Sequence, residues 1–195
     1  MTETVDYYEN MLDAFRDTES LTVLVASGVS RDEAVGVLGI ELDRPVDGSW
    51  DNGDDYTGWA LVDVPGGVLA IETTGYGDPS TEALGLLSKN GAAGVVRSNI
   101  QARMRFGCAR GSEVLFDDDG FMYVDDPTIV PAELRQLFAL AWIDLDDEDD
   151  FGDGGPSPFA VALAMVEAIS GVKLTEDLVA SVFESGFFRA PNRLA

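Results

Sequence analysis

The side chains able to do chemistry in this chain are carboxylates and arginines. Asp and Glu total 36 against 12 Lys and Arg, with no histidine, giving a formal net charge of −24 over 195 residues. The acids fall in runs: Asp51, Asp54 and Asp55; Asp117, Asp118 and Asp119; and Asp146, Asp147, Glu148, Asp149 and Asp150. Such runs can chelate hard cations, supply acid–base pairs, or present an anionic face to a basic partner. The cations are gathered elsewhere. No acid lies between Glu82 and Glu113, and Lys89, Arg97, Arg103, Arg105 and Arg110 all do. Arg103 and Arg105 alternate with Met104 and Phe106, so on a strand both face the same side. They form either a patch for a carboxylate, a phosphate or another chain's acidic run, or cross-strand ion pairs with Glu113, Asp117 or Asp118.

Most catalytic schemes find no residues here. Lack of histidine removes the commonest general base, Ser-His and Cys-His nucleophiles, and His-ligated zinc or iron. Cys108 lies near Arg103, Arg105 and Arg110, which could lower its pKa, but it has no base partner and reads as a structural thiol. No serine stands in G-x-S-x-G, and Ser88 and Lys89 are adjacent, not a helical turn apart. Gly75-Tyr76-Gly77 and Gly91-Ala92-Ala93-Gly94 match neither phosphate-binding pattern. With Gly152 at the sixth position of a calcium loop, Asp147 and Asp149 fall at the first and third, but Phe151 and Pro158 occupy ligand positions; Asp117 to Gly120 fails similarly. Carboxylates near Trp50, Tyr56 and Trp59 invite a glycosidase reading, yet proximity among so many acids arises by chance. No catalytic residue, metal site or cofactor is expected.

The charge excludes further classes. A strong single-sign field repels nucleic acid, anionic membrane and phosphate-rich ligands and attracts basic proteins. Ordinary apolar content, 46% of residues, indicates that the acids cover a real core. The excess of Asp and Arg over Glu and Lys also fits background composition or solubility. One cysteine, a polar acidic start and no apolar run near the roughly 18 residues of a membrane helix point to a cytoplasmic setting.

The elements that must position these residues follow from periodicity. A helix is expected over 5–15, a buried strand over 21–26, and a helix from the Ser30/Glu33 capping box to Gly39. A polar loop over 43–56 precedes a hairpin of 58–64 and 68–72. Pro79 opens a helix with Asp78 as N-cap. Strands follow over 93–99, 102–108 and 113–123, then helices over 131–143, 158–169 and 175–185, the last capped by Thr175. Acidic residues 144–157 link the final helices to the core. The sum is a single α+β domain: an antiparallel sheet of five to six strands, flanking helices and a helical C-terminal segment.

Three segments, GWALVDVPGGVLAIE, GVVRSNIQARMRFGCARGSEVLF and PSPFAVALAMVEAISGVKLTEDLV, resemble in order a family of uncharacterised actinobacterial proteins. That family carries a GW-x-L…PNG hairpin, an "RF" strand and a closing AxALxExITGVxLT helix; here the turn reads Pro65-Gly66-Gly67, without Asn. The resemblance spans roughly residues 20–185 and implies a shared fold and a bacterial intracellular setting. It brings no activity to carry over.

The expected function is a non-enzymatic interaction module, such as an immunity or inhibitor protein, whose acidic runs cover a basic protein partner. One alternative is a small-molecule-binding or enzymatic domain with a pocket lined by Arg97, Arg103 or Arg105. Another is an accessory subunit that associates through an apolar helix face in 158–188, including Phe187 and Phe188.

Overall fold

Eight strands join in one antiparallel sheet, a computed structural model shows, in the spatial order β2-β8-β3-β4-β1-β5-β6-β7. The structure describes residues 2–48, 56–101, 103–144 and 155–192. In chain order the elements are α1 (Thr2–Met11), β1 (Leu21–Ser27), α2 (Arg31–Leu38), β2 (Glu41–Val46), β3 (Tyr56–Val64), β4 (Gly67–Glu72), α3 (Thr81–Leu87), β5 (Ala92–Ser98), β6 (Met104–Arg110), β7 (Glu113–Asp118), α4 (Arg135–Phe138), α5 (Pro158–Ser170), α6 (Glu176–Glu184) and β8 (Phe187–Pro191).

The central strands β4, β1 and β5 are buried on both faces, which is why they read as nearly continuous apolar runs. Alternation still divides them. Val23, Val25, Leu69, Ile71 and Val96 point to a core built with α1, α5 and α6, and Leu24, Ala26, Val68, Ala70 and Val95 to a second core under α2 and α3. Helix α5 is apolar around most of its circumference because it lies between the sheet and α1. Gly94 on β5 admits it closely: a Cβ there would stand 3.1 Å from Ile169 Cγ2 and 3.3 Å from Val166 Cα. On its other side Tyr8 of α1 donates to Glu167 Oε2 at 2.7 Å and accepts from Leu174 N–H at 3.1 Å.

Several elements differ from the sequence reading. The sheet has eight strands, because β2 and β8 form its far edge from segments read as a loop and a helix. Their pairing bridges nearly the whole chain and has no local signature, and Pro45 is tolerated because β2 is an edge strand. Phe187 and Phe188 therefore belong to a strand, not to an apolar helix face. Helix α1 tightens into a 3-10 turn at Leu12–Phe15. Strand β7 stops at Asp118, after which Phe121–Tyr123 forms a 3-10 turn, and the helix expected over 131–143 is reduced to the single turn α4. Both capping predictions for α2 and α6 hold: Ser30 and Glu33 cap reciprocally, and Thr175 accepts from Leu178 N–H.

Candidate functional site

Register places a polar row across one end of the sheet. Trp59, Glu72, Thr22, Arg97 and Arg105 stand directly opposite one another on β3, β4, β1, β5 and β6. Opposed residues share a face, here the one that carries α2 and α3. Arg97 and Arg105 are 3% and 6% exposed, and two buried guanidinium groups side by side require acids. Arg105 meets Asp117 in a two-pronged pair, Nε to Oδ1 at 2.7 Å and Nη2 to Oδ2 at 2.9 Å. Its Nη1 donates to Asp78 and to the Pro79 carbonyl at 2.7 Å. Arg97 donates through Nη2 to Asp119, and its Nε lies 3.5 Å from Asp78 Oδ2. Thr81 Oγ1 completes Asp117 at 2.6 Å.

Asp78 is therefore not the cap of α3. Ser80 is, accepting from Ala83 N–H at 3.2 Å, which frees the Asp78 carboxylate to bridge two arginines. Burial pushes the Asp78 carboxyl above its ordinary value, with Arg105 and Arg97 pulling the other way. Burial works against the Arg105 charge, but Asp117 and Asp78 hold its pKa above the usual guanidinium value. Further along the row Glu72 is fully buried. It accepts from Thr57 Oγ1 at 2.5 Å, Thr74 N–H at 2.9 Å, Thr74 Oγ1, and Gly77 N–H at 3.1 Å. Loss of hydration raises its pKa in spite of those donors.

Of the acids singled out from sequence, Asp117 and Asp119 sit in this cluster, and Asp118 accepts from Gly120 N–H at 2.7 Å. Asp51, Asp54, Asp55, Asp146, Asp147, Glu148, Asp149 and Asp150 lie outside the described residues. Arg97 and Arg105 come together. Arg103 is exposed and outside the ion-pair cluster, but with Arg97, Asp119, Thr74, Tyr76 and Asn99 it lines a hollow of about 240 Å³. Cys108 is buried, and burial, reinforced by Glu133, pushes its thiol up to about 12, outweighing Arg110. It is a core residue, inert as a nucleophile at neutral pH.

Most of the other described cations are also engaged. Arg44 pairs with Glu41 and Arg110 with Glu133, and Arg135 donates to the carbonyls of Val130 and Thr128. Arg16, Lys173 and Arg189 stand over the rings of Phe183, Tyr7 and Tyr56. Among the described residues, Arg31, Lys89 and Arg103 have no ion pair, ring contact or side-chain bond to a carbonyl.

A broad concavity lies on the same face, between α2 and α3. It is an open cleft of about 620 Å³ with Val29, Gly36, Val37, Ala83 and Leu86 along its walls and Glu33, Glu82 and Lys89 at its rim. Sequence reasoning missed this cleft, Asp78 and Glu72. Glu72 had a visible signature, an acid in step with Val68 and Ala70 on a buried strand. Asp78 was hidden by its resemblance to a helix cap before Pro79.

No protein-family model, curated protein or solved structure matches the chain. Among the described residues no group of three or more His, Cys, Asp or Glu is placed to hold a metal ion, and no helix is long and apolar enough to cross a membrane.

Two outcomes follow from the polar row. Arg105→Met strands Asp78 and Asp117 in the interior, and denaturant melts should show a loss of about 3–5 kcal/mol. Arg105→Lys, which keeps the charge without the fork, should fall between that variant and wild type; a loss under about 1 kcal/mol for Arg105→Met would contradict the arrangement. Burial raises the folded-state pKa of Glu72 above that of an ordinary glutamate. Its contribution is thus fully present below the unfolded-state value and is lost as pH rises through the folded-state one. Relative to Glu72→Gln, wild type should lose melting temperature as pH is raised from about 4 to about 8; a constant difference would refute the shift.

Proposed function

We propose that this protein is a non-catalytic binding module whose acidic exterior engages a basic protein partner, as an immunity or inhibitor protein would. The observation that carries the reading is the use of the cations. Arg97 and Arg105 are consumed inside the fold by Asp78, Asp117 and Asp119, and most remaining arginines are tied to acids, carbonyls or rings. Each internal pair consumes one acid and one cation, so the formal net −24 is unchanged and few cations among the described residues stand unpaired within it. A field of that kind accelerates encounter with a cationic surface and disfavours DNA, RNA and anionic lipid. The same accounting weighs against an arginine-lined ligand pocket: Arg97 and Arg103 line one hollow of about 240 Å³, but Asp119, already paired with Arg97, lines it too. The resemblance to the actinobacterial family agrees with an intracellular bacterial setting, and we read the chain as a member of it.

The partner is best sought among basic proteins encoded beside the gene. Titration of such a protein should show affinity falling at least about tenfold between about 0.05 M and 0.5 M NaCl, as screening shortens the field. Replacing Asp146, Asp147, Glu148, Asp149 and Asp150 by their amides should slow association more than it speeds dissociation. Affinity indifferent to salt would overturn the electrostatic reading.

A further inference from the structure

We infer that the cleft between α2 and α3 is the seat for an amphipathic, cationic segment of the partner protein, an inference that rests on the binding-module reading. Helices α2 and α3 run antiparallel across the sheet: Gly28, before α2, abuts Asn90, beyond α3, while Leu38 at the end of α2 stands by Pro79. The cleft between them is apolar along its walls, and Leu86 projects there 53% exposed.

Gly36 is the telling residue. It sits inside α2, where glycine costs about 1 kcal/mol relative to alanine. Among the described residues nothing demands it. Its φ is not positive, and a Cβ built on it meets nothing within 4 Å. By contrast, Gly28 and Gly94 are held by close backbone or side-chain approach. A local rule broken without structural compensation is expected where function sets the residue, and here a side chain at 36 would project into the cleft.

The chemistry of the walls selects the occupant. Glu33 and Glu82 flank the apolar surface, and Asp32 lies beside Glu33 in sequence, with Lys89 the one cation on the lining among the described residues. An anionic ligand meets these carboxylates and the field of the whole protein. A second copy of the chain brings another −24 and is repelled. A small apolar molecule would remain largely in water, because the cleft is open, whereas drug-sized ligands occupy pockets that bury about 70–90% of their surface. A segment with leucine-like side chains on one face and lysine or arginine on the other satisfies both the walls and the rim, in the manner of a helix laid in a groove.

The test uses two fluorescein-labelled peptides of equal length and charge: a Lys/Leu amphipathic helix and a Lys/Ser control. Anisotropy titrations of the full-length protein should show the Lys/Leu peptide binding at least about tenfold tighter than the control. Gly36→Trp, which has room to fold, should weaken the Lys/Leu peptide about tenfold without lowering the melting temperature, and Gly36→Ala should leave it within about twofold. Leu86→Glu separates the two contributions, since it adds attraction for a cation but removes an apolar anchor; weaker Lys/Leu binding is expected. If both peptides bind alike, or Gly36→Trp changes nothing, the cleft assignment falls while the acidic-module reading stands. If neither peptide binds at low salt, both fall.

Discussion

Pairing of two buried arginines with three aspartates organises this molecule. Arg97 and Arg105 face each other across β5 and β6, an arrangement that would be untenable without Asp117 from β7, Asp119 from the turn beyond it and Asp78 from the segment before α3. The acids arrive on two stretches of chain, 117–119 and the segment before α3. The cluster therefore ties an edge strand, a turn and the entry to α3 to the same end of the sheet. Breaking one member leaves an uncompensated charge in a dry site, so the constraint is steep even where the intact cluster's net contribution is small.

That constraint also shapes the exterior. Two of the five cations at 89–110, Arg97 and Arg105, are folded inward and neutralised and a third, Arg110, is paired with Glu133, which leaves Lys89 and Arg103 exposed. Around them the molecule presents acid, interrupted by the apolar cleft between α2 and α3. Asp78 is pivotal in this respect: by holding Arg105 it fixes the residues that lead into α3, and Ser80 then caps the helix that forms one wall of the cleft. The interior charge network and the surface groove share a hinge of three residues.

The parts of this design written in local pattern were legible from sequence. Buried strands β1, β4 and β5, the hairpin of β3 and β4, and the capping of α2 and α6 each follow from periodicity or a short motif. The pairing of Arg105 with Asp117 was anticipated as cross-strand compensation, since Arg105 and Asp117 lie on consecutive antiparallel strands. What stayed hidden depends on long-range register. Strand β8 joins β2 and β3 from the far end of the chain, so Phe187 and Phe188 read as helical. Asp78 before Pro79 carries the signature of a cap, and only the position of Arg105 shows that its carboxylate is needed elsewhere. Gly36 carries no sequence signal of its own, and the empty space around it is visible only in three dimensions.

Amide hydrogen exchange of the full-length protein, with and without the cationic amphipathic peptide, tests the central claim most directly, because it reports where binding occurs as well as whether it does. The account predicts added protection concentrated in residues 28–38 and 80–90, the two walls of the cleft, under conditions where the serine control gives none. Protection centred instead on the hollow around Thr74, Asn99 and Arg103, or spread evenly over the acidic surface, would contradict it.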